Sequence, residues 1–307
     1  MKFLCKLARN QLAISCLSFI FITNFSLNFP KKLKPIVKIV PQIFTYRIIP
    51  KLVNVASFPV VSAQSVYAVD VDSGISLFEK KPDNLQLPAS TTKIITALVA
   101  LDYYPKDLVL EVGKIKVDGQ KMGLLSGEKI KVEDLLYGLL IYSANDSAEV
   151  LAQNYPGGRD YFISAMNLKI NELGLENTHF VNPVGFDGIG QVTSARDLVK
   201  ITLSAMENPL IAEIVATKEK EVKSIDGYYV HKLVNLNKLI GQVDGVLGVK
   251  TGWTENAQEN LVTYVERNNR KIIIALLTSQ DRFGETEEII DWIFENYQWD
   301  AVKTQSN

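Results

Sequence analysis

Histidine is almost missing from this 307-residue chain: only His179 and His231 occur, and neither stands in an HExxH or other close ligand spacing. Zinc hydrolysis therefore lacks its usual donor set, so no metal site is expected, and a Ser-His-Asp triad has little to build on. Each histidine reads as a surface or core residue. Cysteine is as scarce. Cys5 and Cys16 both lie at the N-terminal end, so the remainder has no disulfide, thiol nucleophile or cysteine-based metal site. Cys16 sits midway through a hydrophobic run behind Ser15, which favours membrane packing over lipidation. Acid is missing from one region alone. The first carboxylate is Asp70, whereas nine of the 33 Lys and Arg residues precede Gln64. From Gln64 onward the chain carries 24 basic and 34 acidic residues, a net of -10. An acidic body behind a basic head argues against nucleic acid as a partner.

The head is a different object from the body. Gln11 to Pro30 is free of charge and follows Lys2, Lys6 and Arg9. This is the pattern of a signal peptide or signal anchor over residues 1–30, just long enough for the roughly 20 apolar residues that span a bilayer. Residues 31–63 are basic and broken by Pro35, Pro41, Pro50 and Pro59, and read as a linker able to lie on an anionic membrane surface. The linker ends in Val61-Ser62-Ala63, small residues that signal peptidase accepts, so cleavage after Ala63 and a permanent anchor are both open.

Residues 64–299 suffice for one sizeable domain, with 300–307 as a short tail. SVYAVDV and ISLFE flank Asp72-Ser73-Gly74 as a hairpin, and ENLVTYVE and KIIIALLTS flank Arg267 to Arg270 as a second. IITALVAL is nearly all apolar and reads as a buried helix. Asp134 to Gln153, Arg159 to Leu173 and Ser194 to Met206, the last capped by Thr193, look helical, and ETEEIIDWIFENY is amphipathic. Strands at both ends with helices between them predict an α+β fold whose terminal strands share one antiparallel sheet.

A serine hydrolase without histidine needs another base, and lysine serves when it is neutral. Burial and a nearby cation must then lower its ordinary pKa of about 10.4. Ser90-Thr91-Thr92-Lys93 supplies that arrangement: Ser90 starts the buried helix and Lys93 lies one turn on, on the same face. The helix N-terminus favours an oxyanion and disfavours an ammonium. Ser126-Gly127-Glu128-Lys129 has the same spacing but sits in a glycine-containing turn between charges. Two further elements follow. Ser143-Ala144-Asn145 lies between helical runs, and Lys250-Thr251-Gly252 ends the apolar strand VDGVLGV, where Gly252 allows close approach of a ligand. Singly each is weak; in this order they form the trio of penicillin-binding proteins and class A β-lactamases.

With these residues in place, the body resembles the serine D-Ala-D-Ala carboxypeptidases, the low-molecular-mass penicillin-binding proteins, over about residues 64–298. LPASTTKIITALVAL, IYSANDSAEVLA, LGLENTHFVNPVGFD, TSARDLV and GVKTGWT carry the resemblance. It implies the penicillin-binding, β-lactamase-like fold, a five-stranded antiparallel sheet packed by helices with an all-α lobe, and no cofactor. It implies that Ser90 is acylated, Lys93 deprotonates it and Ser143 relays protons to the leaving amine. Asn145 would hold the substrate amide, and Lys250, Thr251 and Arg282 its terminal carboxylate. Backbone N–H groups of Ser90 and Trp253 would form the oxyanion hole. The substrate implied is a peptidoglycan stem peptide ending in D-Ala-D-Ala, with β-lactams as covalent inhibitors, outside the cytoplasm.

Two departures stand out. Gln258 in NAQEN replaces the glycine usual in the family, and the chain ends soon after Trp299, which leaves the N-terminal segment as the expected anchor. A class A-like β-lactamase shares the trio but needs a glutamate to activate water, for which Glu172 and Glu176 are the candidates. A non-catalytic wall-binding protein on the same fold is the third reading.

Overall fold

The computed structural model describes residues 44–54 and 57–305. The signal segment, Cys5, Cys16 and the first part of the basic stretch lie outside them. The strands are β1 (Phe44–Leu52), β2 (Ser65–Asp70), β3 (Ser76–Lys80), β4 (Val109–Glu111), β5 (Lys129–Lys131), β6 (Glu219–Lys223), β7 (Val230–Val234), β8 (Val246–Thr254), β9 (Gln258–Arg267), β10 (Arg270–Ser279) and β11 (Tyr297–Gln305). The helices are α1 (Lys93–Tyr103), α2 (Val132–Leu140), α3 (Asn145–Gln153), α4 (Arg159–Glu172), α5 (Ala195–Met206), α6 (Pro209–Ala216) and α7 (Arg282–Asn296). Both expected hairpins form. They join β8 in one antiparallel sheet of order β3-β2-β10-β9-β8, leaving β8 on an edge. The β9–β10 turn places Asn268 and Asn269 at φ of 51° and 58°, the left-handed pair that matches the twist of a two-residue hairpin.

The near-continuous apolar runs of β2, β9 and β10 follow from cover on both faces. Ile273, Ala275 and Leu277 pack with α1, α2 and α5 in the larger core, while Ile272, Ile274 and Leu276 pack with Ile289, Ile290 and Ile293 of α7. Period-two alternation sorts one strand between two cores. Burying a side chain of this size contributes about 1.5–3 kcal/mol, so a polar residue on either face is costly. Helix α1 is enclosed over its first eight residues, Lys93 to Ala100 all being buried, and emerges at Asp102 and Tyr103.

Several sequence expectations need correction. The helical stretch over 134–153 divides into α2 and α3 around 141–144, the turn expected at Ser143-Ala144, although Asn145 already belongs to α3. Ser194, rather than Thr193, caps α5: its Oγ accepts from Asp197 N–H at 3.1 Å. Thr193 is occupied elsewhere, its backbone paired with Gln86 and its hydroxyl 3.0 Å from that of Thr178. Lys250-Thr251-Gly252 lies inside β8, which runs on to Thr254, instead of ending it. The stretch expected as linker, 31–63, and the tail from 300 are not loose where they are described. Residues 44–52 pair with 297–305 as β1 and β11. Tyr297 Oη donates to Leu77 O at 2.9 Å and Trp299 Nε1 to Asp70 Oδ1 at 2.7 Å. Val61 and Ala63 are buried, and the N–H groups of Ser62 and Ala63 donate to the Glu285 carboxylate. β-Branched and aromatic residues among the prolines let this stretch pair as a strand. Among the described residues, no helix is long and apolar enough to cross a membrane.

Candidate active site

Ser90 sits in a 3-10 turn, Ala89–Thr92, that leads directly into α1. The turn is pinned from several sides. Asn260 of β9 donates Nδ2 to the carbonyls of Leu87 and Pro88 at 2.9 and 3.1 Å, and Gln191 donates to Thr92 Oγ1 at 3.0 Å. Strand β8 closes against it through Gly252, where an added Cβ would stand 3.2 Å from Ser90 N, Pro88 O and Ala89 Cβ. Any side chain there would push the strand away from the Ser90 N–H.

Lys93 is fully buried one turn beyond Ser90, its Nζ 2.9 Å from Ser90 Oγ and donating to Val184 O at 2.6 Å. Burial pushes its pKa well below the usual lysine range, and the Lys250 charge pushes it further, against the opposing pull of Asp146 and Glu149. A second lysine–serine pair faces the first. Lys250 is buried and donates to Ser143 Oγ at 2.9 Å and Thr251 O at 3.0 Å. Burial, assisted by Arg282, pulls its pKa down to about 7. Ser143 occupies the break between α2 and α3 at φ of 61°, a left-handed conformation that costs a non-glycine residue about 1–2 kcal/mol. Neighbouring bonds hold it: Ala144 N–H donates to Gly138 O and Asn145 N–H to Gln120 O, both at 2.8 Å. Asn145 Nδ2 donates to Asp118 O at 2.7 Å.

These residues surround one cavity of about 430 Å³, whose lining includes Ser90, Ser143, Asn145, Thr251, Gly252, Trp253 and Arg282. Lys93 and Lys250 lie beneath it, each hydrogen-bonded to a serine of the lining. Arg282, the first residue of α7, donates Nη1 to Gly252 O at 2.8 Å, and its Nε is buried without a partner. Other residues stay out. Ser126 and Lys129 are exposed, and neither Glu172 nor Glu176 lines the cavity; Glu172 instead pairs with Lys169 at 2.7 Å on α4. His179 Nδ1 lies against Gly190 O, and His231 is buried against Glu128 and the Met122 carbonyl. Among the described residues no group of His, Cys, Asp and Glu could hold a metal.

Sequence reasoning missed the Lys93 partner Val184 and the pin Asn260. The Pro183-Val184-Gly185 stretch offered a signal, because Gly185 has φ of 93° and stands where a Cβ would strike the Ala89 carbonyl. Gln258, read as a replacement for glycine, opens β9 at φ of 57°, a conformation that glycine adopts without strain.

The comparisons agree with this geometry. The model of the D-alanyl-D-alanine carboxypeptidase family matches residues 52–281. A D-alanyl-D-alanine carboxypeptidase of Mycobacterium tuberculosis is 34% identical over 76% of this chain and 82% of its own length. A D-alanyl-D-alanine endopeptidase of Pseudomonas aeruginosa is 34% identical over 74% of each. The crystal structure of a Streptomyces DD-transpeptidase superposes with a TM-score of 0.74 at 30% identity, covering 78% of this chain and all of that one. The fold, the order of the elements and the matched residues together place this chain in the D-alanyl-D-alanine carboxypeptidase family.

Proposed function

We propose that this protein is a serine D,D-carboxypeptidase that removes the terminal D-Ala from peptidoglycan stem peptides through an acyl-enzyme on Ser90. The observation that carries the reading is the pair of buried lysines, each 2.9 Å from a serine hydroxyl lining one cavity. Lys93, held neutral by burial and by Lys250, accepts the Ser90 proton. The Ser90 oxygen then attacks the carbonyl carbon of the penultimate residue. The resulting oxyanion is received by the N–H groups of Ser90 and Trp253, which Gly252 brings together. As the carbon–nitrogen bond breaks, the leaving D-Ala amine takes its proton from Ser143. The proton that Lys93 took from Ser90 restores the Ser143 hydroxyl and leaves Lys93 neutral again, while Lys250 orients that hydroxyl at 2.9 Å. Water enters next, hydrolyses the ester and restores the Ser90 hydroxyl.

Substrate binding uses the groups left over. Asn145 commits its NH₂ to Asp118, which leaves Oδ1 as the acceptor for an incoming peptide N–H. Thr251, Arg282 and the Lys250 charge meet the C-terminal carboxylate, and the unpartnered Arg282 Nε is a donor in want of such an acceptor. This set favours an exopeptidase over the endopeptidase named for the Pseudomonas relative. Neither Glu172 nor Glu176, the glutamates of the β-lactamase reading, lines the cavity, so penicillin acylation is expected to last. The intact lysine–serine pairs oppose a purely wall-binding role. The catalytic body works outside the cytoplasm, carried there by the N-terminal segment as membrane anchor or cleaved leader. The burial of Val61 and Ala63 favours retention of the residues before Gln64, since cleavage after Ala63 would strip β11 of its partner.

One experiment tests the assignment. The purified protein is incubated with a fluorescent penicillin and, separately, with a peptide ending in D-Ala-D-Ala. Lasting label and release of one D-Ala are expected; rapid loss of label means a β-lactamase, and no label with no release means a binding protein.

A further inference from the structure

Of the two histidines, His231 is the buried one, and the chemistry above leaves it unused. It stands on β7 with Nδ1 3.0 Å from the Met122 carbonyl oxygen and Nε2 2.7 Å from Glu128 Oε1. Glu128 is buried as well, and its Oε2 accepts from Leu125 N–H at 3.1 Å. These partners fix the proton count. A carbonyl oxygen only accepts, so Nδ1 carries a hydrogen, and a carboxylate only accepts, so Nε2 shares another with Glu128. The pair therefore holds one proton more than a neutral imidazole beside a carboxylate. Once that proton leaves, a ring lone pair faces carboxylate lone pairs across 2.7 Å, and the contact turns repulsive.

The contact fastens a loop that reaches the active site. Met122 and Glu128 lie between β4 and β5, and the N–H groups of Met122, Gly123 and Leu124 donate to the Asp146 carboxylate at 3.0, 2.9 and 3.1 Å. Just before them, Gln120 O and Asp118 O accept from the backbone and side-chain nitrogens of Asn145, and Gly119 and Gln120 line the cavity. The stretch from Asp118 to Met122 is thus held by Asn145 at one end and by His231 at the other. Near the pair, Asp134 of α2 has its carboxyl pushed up by burial and by Glu133, against the pull of Lys131, Lys220 and His231. Glu221, Lys223, Asp226 and Lys232 of the β6–β7 hairpin, and Lys121 and Lys129 of the loop, are exposed, where salt screens their hold on the pair. We propose that His231 and Glu128 are positioning residues for substrate binding: the proton they share fastens the loop that orients Asn145, and its loss as pH rises loosens that loop. This inference rests on the carboxypeptidase reading above.

The test compares the wild type with Glu128→Gln. In that variant the amide nitrogen donates to His231 Nε2 while the amide oxygen keeps the Leu125 N–H, so the contact no longer needs the extra proton. KM for a peptide ending in D-Ala-D-Ala is measured for both proteins at about pH 6 and about pH 9, a range that spans histidine titration. The wild-type KM should rise relative to that of the variant by about two- to tenfold, the worth of one hydrogen bond to Asn145. Loss of the Lys250 charge over the same range acts on both proteins alike and cancels. In the wild type, amide exchange at Met122, Gly123 and Leu124, corrected for its intrinsic pH dependence, should also speed up, a reading that stands even where the variant fails to fold. A KM ratio equal at both pH values, a change confined to kcat, or unchanged protection of those amides overturns the latch and leaves the carboxypeptidase reading standing. Absence of D-Ala release by the wild type at either pH fells that reading, and the substrate role of the latch with it.

Discussion

The chain contains the Ser-x-x-Lys spacing twice in its body, and the two copies have opposite fates. In Ser90-Thr91-Thr92-Lys93 the serine opens a helix whose first eight residues are all buried, and the lysine is sealed beneath a cavity. In Ser126-Gly127-Glu128-Lys129 the serine and lysine face solvent, and the glutamate turns inward to His231 at 2.7 Å. Spacing alone therefore makes no base. A lysine becomes one when desolvation and a second cation make its ammonium form costly, and only the first copy has both. Lys250 supplies the cation, about 157 positions along the chain by number but adjacent in space.

The sharpest way to break this contrast is to remove the nucleophile. Ser90→Ala should abolish covalent penicillin labelling, and mass spectrometry should find the acyl group on Ser90 of the wild type; acyl on any other residue would sink the assignment. Next in size is the base. Lys93→Arg retains a cation that cannot deprotonate, so acylation should fall by about 10²–10⁴-fold or more, read by stopped-flow labelling. A near wild-type rate would remove Lys93 from that role.

The second lysine offers a smaller and pH-dependent effect. A peptide acid should be cleaved in preference to its C-terminal amide by about 10–150-fold, the worth of a charge-assisted hydrogen bond of about 1.5–3 kcal/mol. Thr251→Val should narrow that gap. With the Lys250 pKa at about 7, its positive charge is present below pH 7 and is lost as pH rises through that value. The acid-over-amide preference should therefore decline between pH 6 and 8.5. Lys93 acts in the opposite sense, because the base must be neutral, and acylation should fall as acid protonates it. Equal cleavage of acid and amide at every pH would favour endopeptidase action on crosslinks. The smallest effect sharpens the comparison from its other side: Ser126→Ala and Lys129→Arg should leave labelling and D-Ala release within experimental scatter of the wild type.

Singling out Ser90, Lys93, Ser143, Asn145, Lys250, Thr251 and Gly252 as candidates needed only residue types, order and the apolar run after Ser90, because a helix start can be recognised locally; that β8 runs on past Gly252 to Thr254 could not. The two hairpins were legible for the same reason, each with turn chemistry between β-branched strands. The break between α2 and α3 was harder. Ser143 is held at positive φ by bonds to Gly138 and Gln120, partners that no periodicity names. The pairing of residues 44–52 with 297–305 joins the two ends of the described chain, and such distant strand partners leave no mark on local composition.

By itself, then, the sequence determined the hydrophobic periods, the turn positions and the chemical types available: two lysine–serine sets, no histidine base and an acidic body behind a basic head. Tertiary structure decided which lysine is dry, which serine it touches and which acids stay outside the cavity. Desolvation, and with it the pKa of Lys93 and Lys250, depends on everything packed around a group. Those neighbours come from α1, α3, β8 and the Val184 stretch together, so the sequence could set Ser90 apart from Ser126 by the apolar helix it opens, while the second cation beside Lys93 comes only with the fold.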